Sequence, residues 1–61
     1  MKNFNWFVSK YFYGEKYYWN GDGFTNDCLS AKFYYDRIDA GKIAKKYGGK
    51  VEYRDLMGAI Q

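Results

Sequence analysis

Histidine is absent from this chain, and cysteine occurs once, as Cys28. That composition lacks the usual zinc frameworks, and a lone cysteine cannot close an internal disulfide. Without imidazole, acid–base chemistry would fall to the carboxylates Glu15, Asp22, Asp27, Asp36, Asp39, Glu52 and Asp55. Two of these read as helix-start residues and two as turn residues. Ser9, Ser30 and Cys28 have no obvious activating base. The expectation is a non-enzymatic protein with no cofactor and no metal. No apolar run approaches the ~20 residues of a membrane span, and the start MKNFNWFVSKYFYG is too broken by Asn, Ser and Lys for a signal peptide. Together these absences predict a soluble protein of a reducing cytoplasm that binds no membrane, with Cys28 as a small buried hydrophobe.

At 61 residues the chain is one domain, 1–61, without repeats or internal linkers. A domain of this size buries only about 60% of the surface that its unfolded chain exposes, so a deep internal site is not expected. Stability has to come from packing or from oligomerisation. The net charge of +3 is lopsided. Residues 1–31 hold three Lys against three acids, whereas residues 32–61 hold seven Lys and Arg against four acids. Lys42, Lys45, Lys46 and Lys50 dominate that excess. They read as a solvated helix face with cations near the C-terminus, or as a patch for nucleic acid or an acidic protein surface.

From Phe4 to Tyr13 the chain is aromatic and β-branched and reads as a strand. Phe4, Trp6, Val8, Lys10 and Phe12 would face one way, and Asn5, Phe7, Ser9, Tyr11 and Tyr13 the other. Gly14-Glu15 suits a two-residue type II′ turn with glycine first, and Lys16 to Trp19 returns as a second strand. Asn20 to Gly23 ends it as a turn. Thr25 or Asn26 could cap a helical turn through Leu29, after which Lys32 to Tyr35 extends. Asp36 is a good N-cap, Gly48-Gly49 a stop signal, and Ala40, Ile43, Ala44 and Tyr47 form one apolar stripe between them. Lys50 to Arg54 alternates as a third strand. The tail DLMGAIQ reads either as a frayed turn or as Leu56, Met57 and Ile60 docking on the core. The expected fold is α+β, a small antiparallel-rich three-stranded sheet with one helix packed on one face, in the order ββαβ.

The oxygen ligands of NGDGFTND invite a calcium reading, but Thr25 stands where an EF-hand needs glycine and no bidentate Glu closes the loop. Gly21 and Gly23 are equally weak as a phosphate cradle, since no GxxxxGK[ST] is present. What remains is the aromatic content, fifteen rings or 25% of the chain. Each ring has roughly 150–250 Å² to bury, more than a sheet with one covered face can hold. Phe4, Trp6, Val8 and Phe12 make the better core face. Phe7, Tyr11 and Tyr13 would then lie on the open side, with either Tyr18 or the Tyr17 and Trp19 pair. Tyr and Trp are enriched in binding hot spots, so this surplus predicts a protein-binding or self-association surface. Tyr11, Tyr13, Tyr17 and Trp19 are the candidate anchors, and Lys16, Lys45 and Lys46 the candidate electrostatic rim. A variant lacking the Tyr13 and Trp19 rings should then stay folded.

The block SAKFYYDRIDAGKIAKKYGGKVEY, Ser30 to Tyr53, resembles short accessory proteins of phages and mobile elements in Gram-positive bacteria. The shared features are Ala31-Lys32-Phe33, the cap Asp36, then Ala40, Ile43 and Ala44, and finally Gly48, Gly49, Lys50 and Val51. The resemblance implies a ββαβ unit and a small binder acting in the cytoplasm of a bacterial host. Its partner would be a host protein, such as a CRISPR-Cas or other defence nuclease complex, which makes an anti-CRISPR or other anti-defence inhibitor the leading reading. Two alternatives stand beside it. One is a single-stranded nucleic-acid binder that uses the ring-rich sheet with Lys10 and Lys16, although the hairpin is charge-neutral and no RNP-like motif is present. The other is a homodimer that buries the aromatic face and carries its functional patch elsewhere.

Overall fold

The computed structural model describes residues 4–54. The terminal tail singled out above lies outside them. Four strands, β1 (Trp6–Phe12), β2 (Glu15–Trp19), β3 (Phe24–Thr25) and β4 (Lys50–Tyr53), form one antiparallel sheet in the order β3-β2-β1-β4. One helix, α1 (Arg37–Tyr47), lies across β1 and β4. The α+β class stands, but the three-stranded ββαβ sheet does not.

The extra strand comes from NGDG. Its turn is tight enough to send the chain straight back along β2 rather than out of the sheet. The Asn20 side-chain oxygen accepts from the amides of Asp22 (2.8 Å) and Gly23 (2.9 Å), and the Asn20 amide donates to the Gly23 carbonyl (2.9 Å). That oxygen is thus engaged by the backbone, as a turn requires. Phe24 then pairs with Trp19, and Thr25 with Tyr18.

The first hairpin also turns one residue earlier than its glycine pattern suggests. Phe12 pairs with Glu15, so the central residues are Tyr13 (φ 51°) and Gly14 (φ 86°), both left-handed. Two positive φ values are the type I′ signature, whose twist matches that of the flanking strands; Gly14-Glu15 as a type II′ turn is not what forms. The resulting register (Ser9 with Tyr18, Tyr11 with Lys16) keeps Tyr18 with Phe7 and Tyr11. It puts Tyr17 and Trp19 on the helix side with Val8.

The helix begins and ends where its caps dictate. Asp36 accepts from the Ile38 amide (3.0 Å), and the Gly48 and Gly49 amides both donate to the Ala44 carbonyl (2.8 Å each) with Gly48 in the left-handed region. Ala40 and Ala44 face the sheet and are buried, and their small side chains let the helix approach Val8 closely. Ile43, Val51, Trp6, Phe24 and Tyr34 complete this core. Phe4 does not join it. Its ring sits outside, against Tyr35 (5.3 Å between centroids), because the strand starts at Trp6 and Phe4 lies beyond the edge of the covered face.

Between β3 and α1 a short 3₁₀ turn (Cys28–Ser30) is capped by Asp27, which accepts from the Leu29 amide and the Ser30 hydroxyl. All of its residues face solvent, so Cys28 is exposed rather than buried. The chain then extends and takes the place of β2 beyond its end. The Lys32 amide donates to the Trp19 carbonyl (2.8 Å), and Tyr34 exchanges two backbone hydrogen bonds with Trp6.

Gly49 carries the close passage from helix to β4. A Cβ there would stand 2.5 Å from Val8 Cγ1 and 3.0 Å from the Ser9 carbonyl oxygen. Gly49→Ala is expected to destabilise the fold by about 1–3 kcal/mol through overpacking. Gly23→Ala, whose Cβ would meet nothing within 4 Å, serves as the control in urea denaturation. Equal midpoints for the two variants would refute this packing.

Candidate functional site

The sheet divides the seven residues singled out by the sequence between its two sides. Tyr11 and Lys16 lie on the face away from the helix. Tyr17 and Trp19 lie on the helix side, and Lys45 and Lys46 sit in the last turn of α1. No single surface gathers them. Trp19 is 5% exposed and offers no ring to a partner. It stacks on Tyr47 (4.5 Å), meets Phe24 edge-on (5.3 Å) and donates its indole N–H to the Tyr34 hydroxyl (3.0 Å). Tyr17 is half-buried with its ring edge-on to Phe12 (5.0 Å). Lys45 and Lys46 are exposed at the negative end of the helix dipole, and Lys46 also lies over the Tyr47 ring (5.4 Å).

The face away from the helix is less open than its ring count suggests. Phe7 and Ser9 are buried there without any helix above them. Phe33 covers Phe7 (5.4 Å between centroids), because the bridge of Tyr34 to Trp6 turns Tyr34 towards the helix and its neighbour Phe33 the other way. Tyr18, across from Ser9 on β2, also packs against Phe7 (6.0 Å). Cations close the rim: Lys16 lies over Phe7 and Tyr18 (5.8 and 5.7 Å) and Arg54 over Phe33 (6.0 Å). This second small core was missed at the sequence level. The only signal for it was the alternation of Phe7, Ser9, Lys16, Tyr18 and Glu52, and it needed the strand register to be read.

At its centre Glu52 accepts from the Ser9 hydroxyl and pairs with Lys16 (3.0 Å). Burial alone would push the Glu52 carboxyl up. The hydrogen bonds from Ser9 and Lys16, with the charges of Lys16 and Lys50, outweigh that and hold it below the ordinary carboxylate range. The hydrogen bond to Glu52 raises the Lys16 ammonium above the ordinary lysine value, against a smaller opposing effect of burial. The group works as a clasp that joins β1, β2 and β4. Among the described residues no cluster of three or more His, Cys, Asp or Glu could hold a metal ion.

What does project from the sheet is the hairpin tip. Tyr13 is fully exposed (105%), and Tyr11 behind it is 62% exposed. The left-handed backbone of Tyr13 is a conformation that asparagine, aspartate and glycine adopt readily and tyrosine does not.

Two predictions test these placements. Trp19→Ala is expected to cost about 3–5 kcal/mol, close to the whole stability of so small a domain, and to abolish the cooperative thermal transition. A folded Trp19→Ala chain would return this ring to the list of surface anchors. For the clasp, a depressed Glu52 contributes its stability above the unfolded carboxylate value and loses it as pH falls through the lower folded value. The raised Lys16 contributes below the ordinary lysine value and loses it as pH rises through its own. The melting temperature of the native chain should therefore drop more steeply than that of Glu52→Gln between about pH 5 and about pH 2. Parallel profiles would show that the clasp contributes nothing.

Compared with protein-family models, curated proteins and solved structures, the chain matches none of them.

Proposed function

We propose that this chain is a non-enzymatic binding module whose β1–β2 hairpin tip engages a partner protein, with Tyr13 as the foremost anchor and Tyr11 beside it. The observation that carries the reading is Tyr13 itself. A bulky ring with no packing role occupies the first central position of a type I′ turn, where Asn-Gly is the preferred pair. Its left-handed backbone costs about 1–2 kcal/mol and brings no packing in return, so the residue serves something other than folding. Tyrosine suits a contact in which one end of the side chain is desolvated and the other stays wet.

The charges favour a protein over a nucleic acid. A single-strand platform needs stacking rings with free cations beside them. Here Lys16 is spent on Glu52 and the Phe7 ring is covered by Phe33. The resemblance of Ser30–Tyr53 to phage accessory proteins makes a bacterial defence nuclease complex the first class of partner to test, with the chain acting as its inhibitor.

Tyr13→Asn separates folding from binding. It is expected to raise the melting temperature by about 4–8 °C, the equivalent of about 1 kcal/mol in a domain of this size, and to lose the partner. The native chain should retain a host protein through nuclease treatment and through about 0.5 M salt, conditions that defeat binding carried by phosphate contacts. Capture that persists unchanged with Tyr13→Asn overturns the hairpin-tip reading. Capture that disappears with nuclease or salt moves the function to nucleic acid.

A further inference from the structure

β4 is an edge strand, and its free side is built to pair. The Arg54 amide donates to the Asn5 carbonyl (2.9 Å), and Trp6 turns its own backbone groups away from β4 towards Tyr34. In an antiparallel ladder, hydrogen-bonded and non-bonded pairs alternate. Lys50 and Glu52 therefore direct their backbone groups inward to Ser9 and Phe7, while Val51 and Tyr53 direct theirs outward. Among the described residues nothing takes up those outward N–H and C=O groups. Two of the devices that usually blunt an edge, a proline and a bulge, are missing as well. The chain has no proline, and β4 pairs with β1 over four consecutive residues without a bulge.

We propose that β4 pairs antiparallel with β4 of a second copy of this chain, about a two-fold axis through Val51, joining two four-stranded sheets into one eight-stranded sheet. The register follows from charge. Centred on Val51, Lys50 of each copy stands opposite Glu52 of the other, twice, on the face away from the helices. The neighbouring registers that keep both helices on one side set Lys50 against Lys50 or Glu52 against Glu52, which opposes like charges directly. The same register makes Val51 a hydrogen-bonded pair with its own copy, using the groups that point outward. It also sets the half-exposed Tyr53 ring opposite Gly49 of the other copy. Gly49 cannot carry a side chain, because Val8 fills that space, and an aromatic ring across from an edge glycine covers its backbone. The opposite edge of the sheet, β3, is only two residues long and does not propagate the pairing, so the assembly closes at two copies.

The test uses the native chain. Sedimentation equilibrium between about 10 µM and about 1 mM should show conversion from 7.3 kDa to twice that mass, with amide exchange at Val51 and Tyr53 slowing by about tenfold or more as the dimer fills. Lys50→Glu, at an exposed position, places four carboxylates at the axis and should leave a folded monomer by circular dichroism. A native chain that stays monomeric at about 1 mM overturns the proposal. So does a dimer in which the Val51 and Tyr53 amides exchange as freely as in the monomer, since a different surface would then hold it. A Lys50→Glu dimer of undiminished strength overturns the register.

Discussion

The Trp19 indole is the contact through which the parts of this molecule reach one another. Its face stacks on Tyr47 at the end of the helix, its edge meets Phe24 of β3, and its N–H reaches the Tyr34 hydroxyl. Its own carbonyl accepts the Lys32 amide that lines the following segment up beside β1. A chain of this length cannot bury many large side chains, so one tryptophan at a junction carries what several aliphatic residues share in a larger core. The helix, β3 and the segment from Lys32 to Tyr34 all meet that ring or the backbone beneath it, and β4 is held through Val8 and the clasp.

The surplus of rings acquires a different meaning once the two faces are seen. Few of the aromatic residues stand idle in water. Phe7, Phe33 and Tyr18 form a second core where no helix reaches, sealed by Lys16, Arg54 and the Lys16–Glu52–Ser9 clasp. Rings joined to cations let a thin domain bury both sides of one sheet. The rings that this economy leaves out include Tyr11 and Tyr13, and Tyr13 is held in the least favourable backbone conformation of any tyrosine in the described chain.

Local signals in the sequence marked the elements whose causes are themselves local. Asp36 and Gly48 bound the helix because their side chain, or lack of one, satisfies the ends within a few residues. The alternation in Phe4 to Tyr13 marked β1 for the same reason. β3 escaped notice because two residues carry no period of their own; they become a strand only because the Asn20 turn returns them to β2. The hairpin turn was misplaced by one residue because tyrosine is a poor sign of positive φ. Trp19 looked like an anchor because its face depended on the register that this same turn sets.

Sequence alone therefore determined the helix and its caps, the central aromatic strand, the absence of histidine chemistry and an excess of rings over what one helix can cover. Tertiary structure decided the fourth strand, the side of the sheet taken by Trp19, the closing of the other side by Phe33 and the clasp, and the exposure of Tyr13 and Cys28. The division has a physical reason. Caps and periodicity are satisfied by neighbours along the chain, whereas burial of a strand residue depends on which distant segment lies over it, and that is known only once the register is set.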